Sequence, residues 1–150
     1  MVAYSFRPRF VDAIKLGLGK YAFEGSQSIF GPKRQTIRAI GKRRHARPGE
    51  FLQLYTGMRT IQCKLIGYAR CTEVSIIVIA FGKTPNSTII SIDEHARYMG
   101  TGLTTFARLD GFSDWDDMLS FWEKEHGTEQ PFRGVLIKWE QLNNLPTEVI

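Results

Sequence analysis

The sequence predicts an α+β domain, a small β-barrel of five to six strands with two or three short helices. Three observations predict it. Val74–Phe81 (VSIIVIAF) is apolar on both faces, as a central strand must be. Fourteen glycines and six prolines are scattered along the chain and cut it into short elements joined by tight turns. One stretch alone, beginning at Ser113, carries a long helical stripe. Strands in excess of helices at this length curl to close their edges, leaving a cleft where helices cross the mouth. The 150 residues, 43% of them apolar, suit one domain with a real core, residues 1–140, followed by a polar tail at 141–150.

In chain order, Val2–Phe6 reads as a first strand. Phe10–Leu16 places apolar residues at helical spacing, and Gly17 and Gly19 end that helix. Residues 20–32 (KYAFEGSQSIFGP) read as a loop or a small hairpin with Tyr21 and Phe23 on one arm and Ile29 and Phe30 on the other. Thr36–Ala39 is β-prone, Ile40–Arg47 is a basic loop, and Pro48-Gly49 turns the chain into a strand at Glu50–Tyr55. Ile61–Ala69 and Val74–Phe81 are two further strands, and Thr88–Ile92 follows a Pro85-Asn86-Ser87 turn. Asp93 is expected to cap a helical turn through Met99. From Ser113 the pattern is plainest: Ser113 with Asp116 resembles a capping box, acids fill the first turn, and Trp115, Met118, Leu119 and Trp122 form one stripe up to Gly127. Phe132–Trp139 is the last strand.

Charge is divided unevenly. Residues 110–150 hold nine acids against three bases and so carry −6; with a total of +5, residues 1–109 carry +11. No acid lies between Gly25 and Gly49, while Lys33, Arg34, Arg38, Lys42, Arg43, Arg44 and Arg47 all do. Uncompensated charge of this density repels itself unless an anion meets it, which points to RNA, a nucleotide or another polyanion as partner. Those seven cations are the candidate nucleic-acid contacts, and Arg34, Lys42, Arg43, Arg44 and Arg47 are expected to grip phosphates without reading sequence. Two cysteines and three dispersed histidines lack metal-ligand spacing, so no metal and no cofactor are expected, and the thiols are expected to stay unpaired. No apolar run approaches the about 20 residues of a membrane span, and no apolar leader opens the chain. The expectation is a cytoplasmic protein without a membrane partner.

Four motifs in series then resemble a known family. Lys33-x-x-Thr36-Ile37-Arg38 comes first, then Arg47-Pro48-Gly49-Glu50 before a strand. Phe106-Ala107-x-x-Asp110-Gly111-Phe112 and Phe132-x-Gly134-Val135-Leu136-Ile137-x-Trp139 complete the series. In this order they resemble the ASCH domain of the PUA-like superfamily, over about residues 6–139. The resemblance implies a PUA-like β-barrel whose cleft binds RNA or a nucleoside. It also implies an alternative, since some small members are amidohydrolases that deacylate N-acylated cytidine with a Lys, a Thr and a carboxylate. Carried onto this chain, those residues are Lys33, Thr36 and, across the cleft, Asp110, where the small amidohydrolases use Glu. Residues 16–32 exceed what the family places before its Lys motif and imply a loop insertion.

The chemistry sets requirements on these residues. A Thr hydroxyl attacks an amide only when a neighbour takes its proton, which Lys33 could do were its pKa lowered by burial or by the basic run. Asp110 could hold the exocyclic amine or donate a proton, and Arg38 suits a phosphate or carbonyl clamp. Lys33 and Thr36 converge only if Lys33 sits on a turn, because positions i and i+3 face opposite sides of a strand. Cations in excess of what a nucleoside needs favour RNA or nucleotide binding over amidohydrolysis, and RNA cleavage is less favoured still.

Overall fold

The structure, a computed structural model, describes residues 1–20 and 31–142. Its spine is one 17-residue strand, β4 (Lys64–Ala80), where the sequence predicts two. Its first half pairs antiparallel with β3 (Phe51–Thr56) and its second half with β5 (Ile89–Ile92). On its other side all of β7 (Phe132–Gln141) pairs antiparallel with Ala69–Ile79. A register shift between Cys71 and Glu73 marks a bulge, which bends the strand and increases its twist. The turn expected between two strands is this bulge.

Around that spine β1 (Val2–Phe6) runs parallel to β3, and β2 (Gln35–Ala39) antiparallel to β7. The order β2-β7-β4-β3-β1 curls into a half-barrel of five strands, not the closed barrel the sequence predicts. No ladder joins β1 to β2. Side chains cross the opening instead: Arg38 on β2 donates from Nη2 to the Ser5 carbonyl on β1 at 2.7 Å. A guanidinium thus occupies an acceptor that a neighbouring strand would otherwise use.

The second departure concerns Asp93–Met99. This is no helical turn but the turn and outer strand of a hairpin, with β6 (His95–Met99) paired to β5. Asp93 and Glu94 adopt φ of 50° and 69°, and the Asp93 carboxylate accepts the Ile76 N–H at 3.0 Å rather than capping a helix. Aspartate tolerates this left-handed conformation better than most residues.

Among the described residues three α-helices cover the sheet. The helix α1 (Val11–Gly17) follows a 3-10 turn at Pro8–Phe10, close to its expected span. The second, α2 (Gly102–Leu109), is not anticipated in the sequence reading; Leu103, Phe106 and Ala107 form its buried face at i, i+3 and i+4. In α3 (Trp115–Glu125) the cap is Asp114, one residue beyond Ser113, and it accepts the Asp117 N–H at 2.8 Å. The expected stripe is correct for Trp115, Met118 and Trp122, which are buried, with Leu119 half-buried. Phe112, Met118, Leu52, Leu54, Ile77 and Ile137 belong to one continuous core between sheet and helices. Cys71 is buried and Cys63 exposed, and they are not linked. Among the described residues no helix is long and apolar enough to cross a membrane. Most of the expected loop or small hairpin at 20–32 and of the polar tail at 141–150 lies outside the described residues, as does much of the expected insertion at 16–32.

Candidate functional site

Lys33 precedes β2 and is therefore free of strand alternation. Two glycines fix its path. A Cβ on Gly17, at the end of α1, would stand 2.4 Å from the Lys33 carbonyl oxygen, while the Lys33 N–H donates to Ala13 at 2.9 Å. A Cβ on Gly111 would stand 2.8 Å from Lys33 Cδ, and Gly111 has φ +96°, a conformation that suits glycine. The lysine is thus held between α1 and the α2–α3 turn, with only 2% of its surface exposed.

Its ammonium meets Asp110 there. Lys33 Nζ donates to the Asp110 carbonyl at 2.5 Å and lies 3.5 Å from Oδ1, which also accepts from Gln35 Nε2 at 3.3 Å. Phe10 and Phe6 face the ammonium, with ring centroids 5.0 and 5.8 Å away. Burial pulls the Lys33 pKa below the ordinary lysine value, Asp110 opposing this and Arg38 adding to it. Burial likewise pushes the Asp110 carboxyl upward, against the pull of Lys33 and Gln35. Removing both charges from water favours both neutral forms.

Thr36 is buried on β2, its Oγ1 accepting from Arg38 Nε at 3.2 Å. Two residues apart, Thr36 and Arg38 share a face of the strand. The Arg38 guanidinium lies against Tyr4 and Phe6, 5.2 and 4.8 Å from their ring centroids. Burial lowers its pKa from the ordinary arginine value, and an arginine keeps its charge in proteins.

These groups line one cavity of about 560 Å³. Lys33, Thr36, Arg38 and Asp110 supply its polar wall; Phe10, Phe112 and Trp122 belong to its aromatic one. At its rim Arg7 and Glu125 form an ion pair of 2.5 Å. Lys33 and Asp110 are 77 residues apart in sequence, and the fold brings the three residues of the expected catalytic set to one place.

The seven expected nucleic-acid contacts separate into groups. Lys33 and Arg38 are inside, lining the cavity. Arg34 Nε donates to the Gly17 carbonyl at 3.0 Å. Arg44 makes a two-pronged ion pair with Glu50, 2.7 Å at each prong, and holds that carboxyl down at about 2. Lys42, Arg43 and Arg47 are exposed on the loop. Gln35 and the wall of Phe10 and Phe112 are site residues that the sequence reading did not select. Phe112 sits inside the quoted Asp110-Gly111-Phe112 motif, while Phe10 reads as helix core and Gln35 carries no signal beyond its place in the Lys33–Thr36 stretch.

Such a site can stack a planar ring, donate to a carbonyl from Lys33 and accept an amine proton at Asp110. Among the described residues no group of His, Cys, Asp and Glu is arranged to hold a metal ion. Comparison with models of known families, with characterised proteins and with solved structures finds no match for the chain.

Proposed function

We propose that the protein is an ASCH-type, PUA-like domain that binds a nucleotide unit, free or carried by RNA, in the cavity beside β2. The observation supporting this most is the convergence of Lys33, Thr36 and Asp110 on one aromatic-walled cavity of about 560 Å³. Small-molecule sites span roughly 300–1,000 Å³. A base fits the aromatic wall, where stacking is worth about 1–3 kcal/mol per base. The Asp110 carboxylate suits an exocyclic amine and the Lys33 ammonium a ring carbonyl, the pair of groups that cytosine presents on its edge. Arg38 supplies a fixed charge for a phosphate. With Lys33 and Arg38 inside and Arg44 paired to Glu50, fewer cations remain for a strand's backbone than the sequence suggests, which favours recognition of one unit over a long tract.

Titration with a short single-stranded RNA and with cytidine 5′-monophosphate, read by tryptophan fluorescence, tests this. We expect saturable binding that weakens at least tenfold in Lys33→Ala and measurably in Thr36→Val, with RNA affinity falling steeply as salt is added. Binding unaffected by both substitutions, or none by the folded protein, would exclude the cavity.

A second reading is favoured by one observation, the lowered pKa of a lysine buried against a carboxylate. In an amidohydrolase the Thr36 hydroxyl would attack the acyl carbon of an N-acylated cytidine and pass its proton to neutral Lys33. The C–N bond would break with that proton going to the leaving amine, and water would release the acyl group from Thr36. Arg38 Nε already donates to Thr36 Oγ1 and would stabilise charge developing there. Lys33 hydrogen-bonds to Asp110 rather than to Thr36, so binding is placed first. Release of cytidine from the acylated nucleoside by wild type and not by Lys33→Ala, followed by chromatography, would establish the enzyme.

A further inference from the structure

Arg38 has a second side. Besides the cavity just described, it lines a neighbouring cleft of about 530 Å³ together with Tyr4, Arg43, Arg44 and His45. No carboxylate lines that cleft among the described residues. Its polar groups differ sharply in what they still have to offer. His45 Nε2 faces the Ala39 carbonyl at 2.8 Å and must donate to it, so Nδ1, 3.0 Å from the Tyr4 hydroxyl, accepts. Tyr4 in turn accepts the Ala46 N–H at 3.0 Å, and the histidine and tyrosine are spent on holding the loop to β1. Arg44 is committed to both oxygens of Glu50. Arg43 has no ion-pair partner among the described residues, and Arg38 uses Nε and Nη2 but leaves its Nη1 amino group without an acceptor there.

We infer that this cleft is a phosphate site, held by Arg43 and the Nη1 group of Arg38, with the phosphate of the bound unit across Arg38 from its base. Where the base lies rests on the function proposed above; the anion site stands on the cleft alone. The half-buried Arg38 is fixed in direction by two hydrogen bonds and two aromatic rings, so little ordering remains when an oxyanion arrives. Arg43 is exposed and closes on the anion from the loop. The ligand class that follows is a phosphorylated nucleoside or an RNA phosphate rather than a free nucleoside.

Inorganic pyrophosphate, which has no base, tests the cleft without testing the base cavity. The readout is the Nε–H resonances of the arginines during titration. We expect saturable shifts at Arg38 and Arg43, and an affinity at least fivefold weaker in Arg43→Ala than in wild type. Lys83→Ala, which removes the same charge from an exposed position outside the cleft, should weaken it less than twofold. No shift at these arginines, or equal weakening in the two variants, would overturn the site and leave only long-range attraction. A parallel titration with cytidine, which lacks phosphate, reports on the base cavity: failure there with pyrophosphate binding intact would refute the base placement and keep the anion site.

Discussion

A lysine with 2% of its surface exposed must lose its charge or keep a partner, and Lys33 has Asp110. The pair is poor evidence for stability in itself, since desolvation offsets most of its attraction, but breaking it strands whichever charge remains. Asp110→Ala is therefore expected to destabilise the fold by about 3 kcal/mol, measured by urea unfolding at neutral pH. Replacing both partners, as Lys33→Met with Asp110→Leu, should recover most of that loss because no charge is left buried. If the double variant is as unstable as the single one, the pair has a packing role that its charges do not describe. Retention of so costly a pair in a cavity wall is what a binding or catalytic role would explain.

At the scale of elements, the site depends on how three segments meet. The end of α1, the start of β2 and the α2–α3 turn converge on Lys33, and Gly111 is the joint among them that combines a close approach with a positive φ. Gly111→Ala would force a side chain into φ +96° and set its Cβ 2.8 Å from Lys33 Cδ. A loss of about 1–3 kcal/mol is expected, together with weakened ligand binding, since Lys33 must shift. Unchanged stability and binding would mean that the turn can rearrange freely. The basic loop has a similar anchor. Glu50, joined to Arg44 and to the Arg47 N–H, titrates at about 2 rather than at the ordinary 4.5. A carboxyl lowered in the folded state stabilises it fully above 4.5, and that contribution is lost as pH falls through about 2. Carboxyl NMR should show the low value in wild type and a return toward the ordinary one in Arg44→Ala. These joints also separate what the sequence disclosed from what it did not. The Trp115–Met118–Trp122 stripe has helical spacing and VSIIVIAF is a continuous apolar run, so a helix and a central strand were legible there, though not the strand's full length. The helix α2 was not, because Gly100 and Gly102 stand at its start and its apolar face is only three residues wide. Asp93 was misread because a short acid serves a left-handed turn as readily as a helix cap, and only the distant Ile76 N–H decides between them.

For the whole molecule, the decisive feature is that the barrel does not close. The opening between β1 and β2 is bridged by Arg38, and cavities lie on both sides of that side chain. Closure could not be read from the sequence, because it depends on a β1–β2 pairing that neither strand specifies alone. The charge division was legible, with +11 on residues 1–109, but not its distribution between buried, paired and free cations. Motif resemblance put Asp110 across the cleft from Lys33; in the structure the two side chains meet in one cavity wall, at the end of a helix that went unseen. The most direct test of the central claim is an amide NMR titration of the full chain with cytidine 5′-monophosphate. The predicted result is saturable shifts concentrated at residues 5–10, 33–39, 57–60, 110–112 and 121–126, which surround the cavity, and, for the phosphate, at 43–45 in the neighbouring cleft. Shifts elsewhere on the molecule, or none at millimolar ligand, would contradict the assignment of this cavity as a nucleotide site.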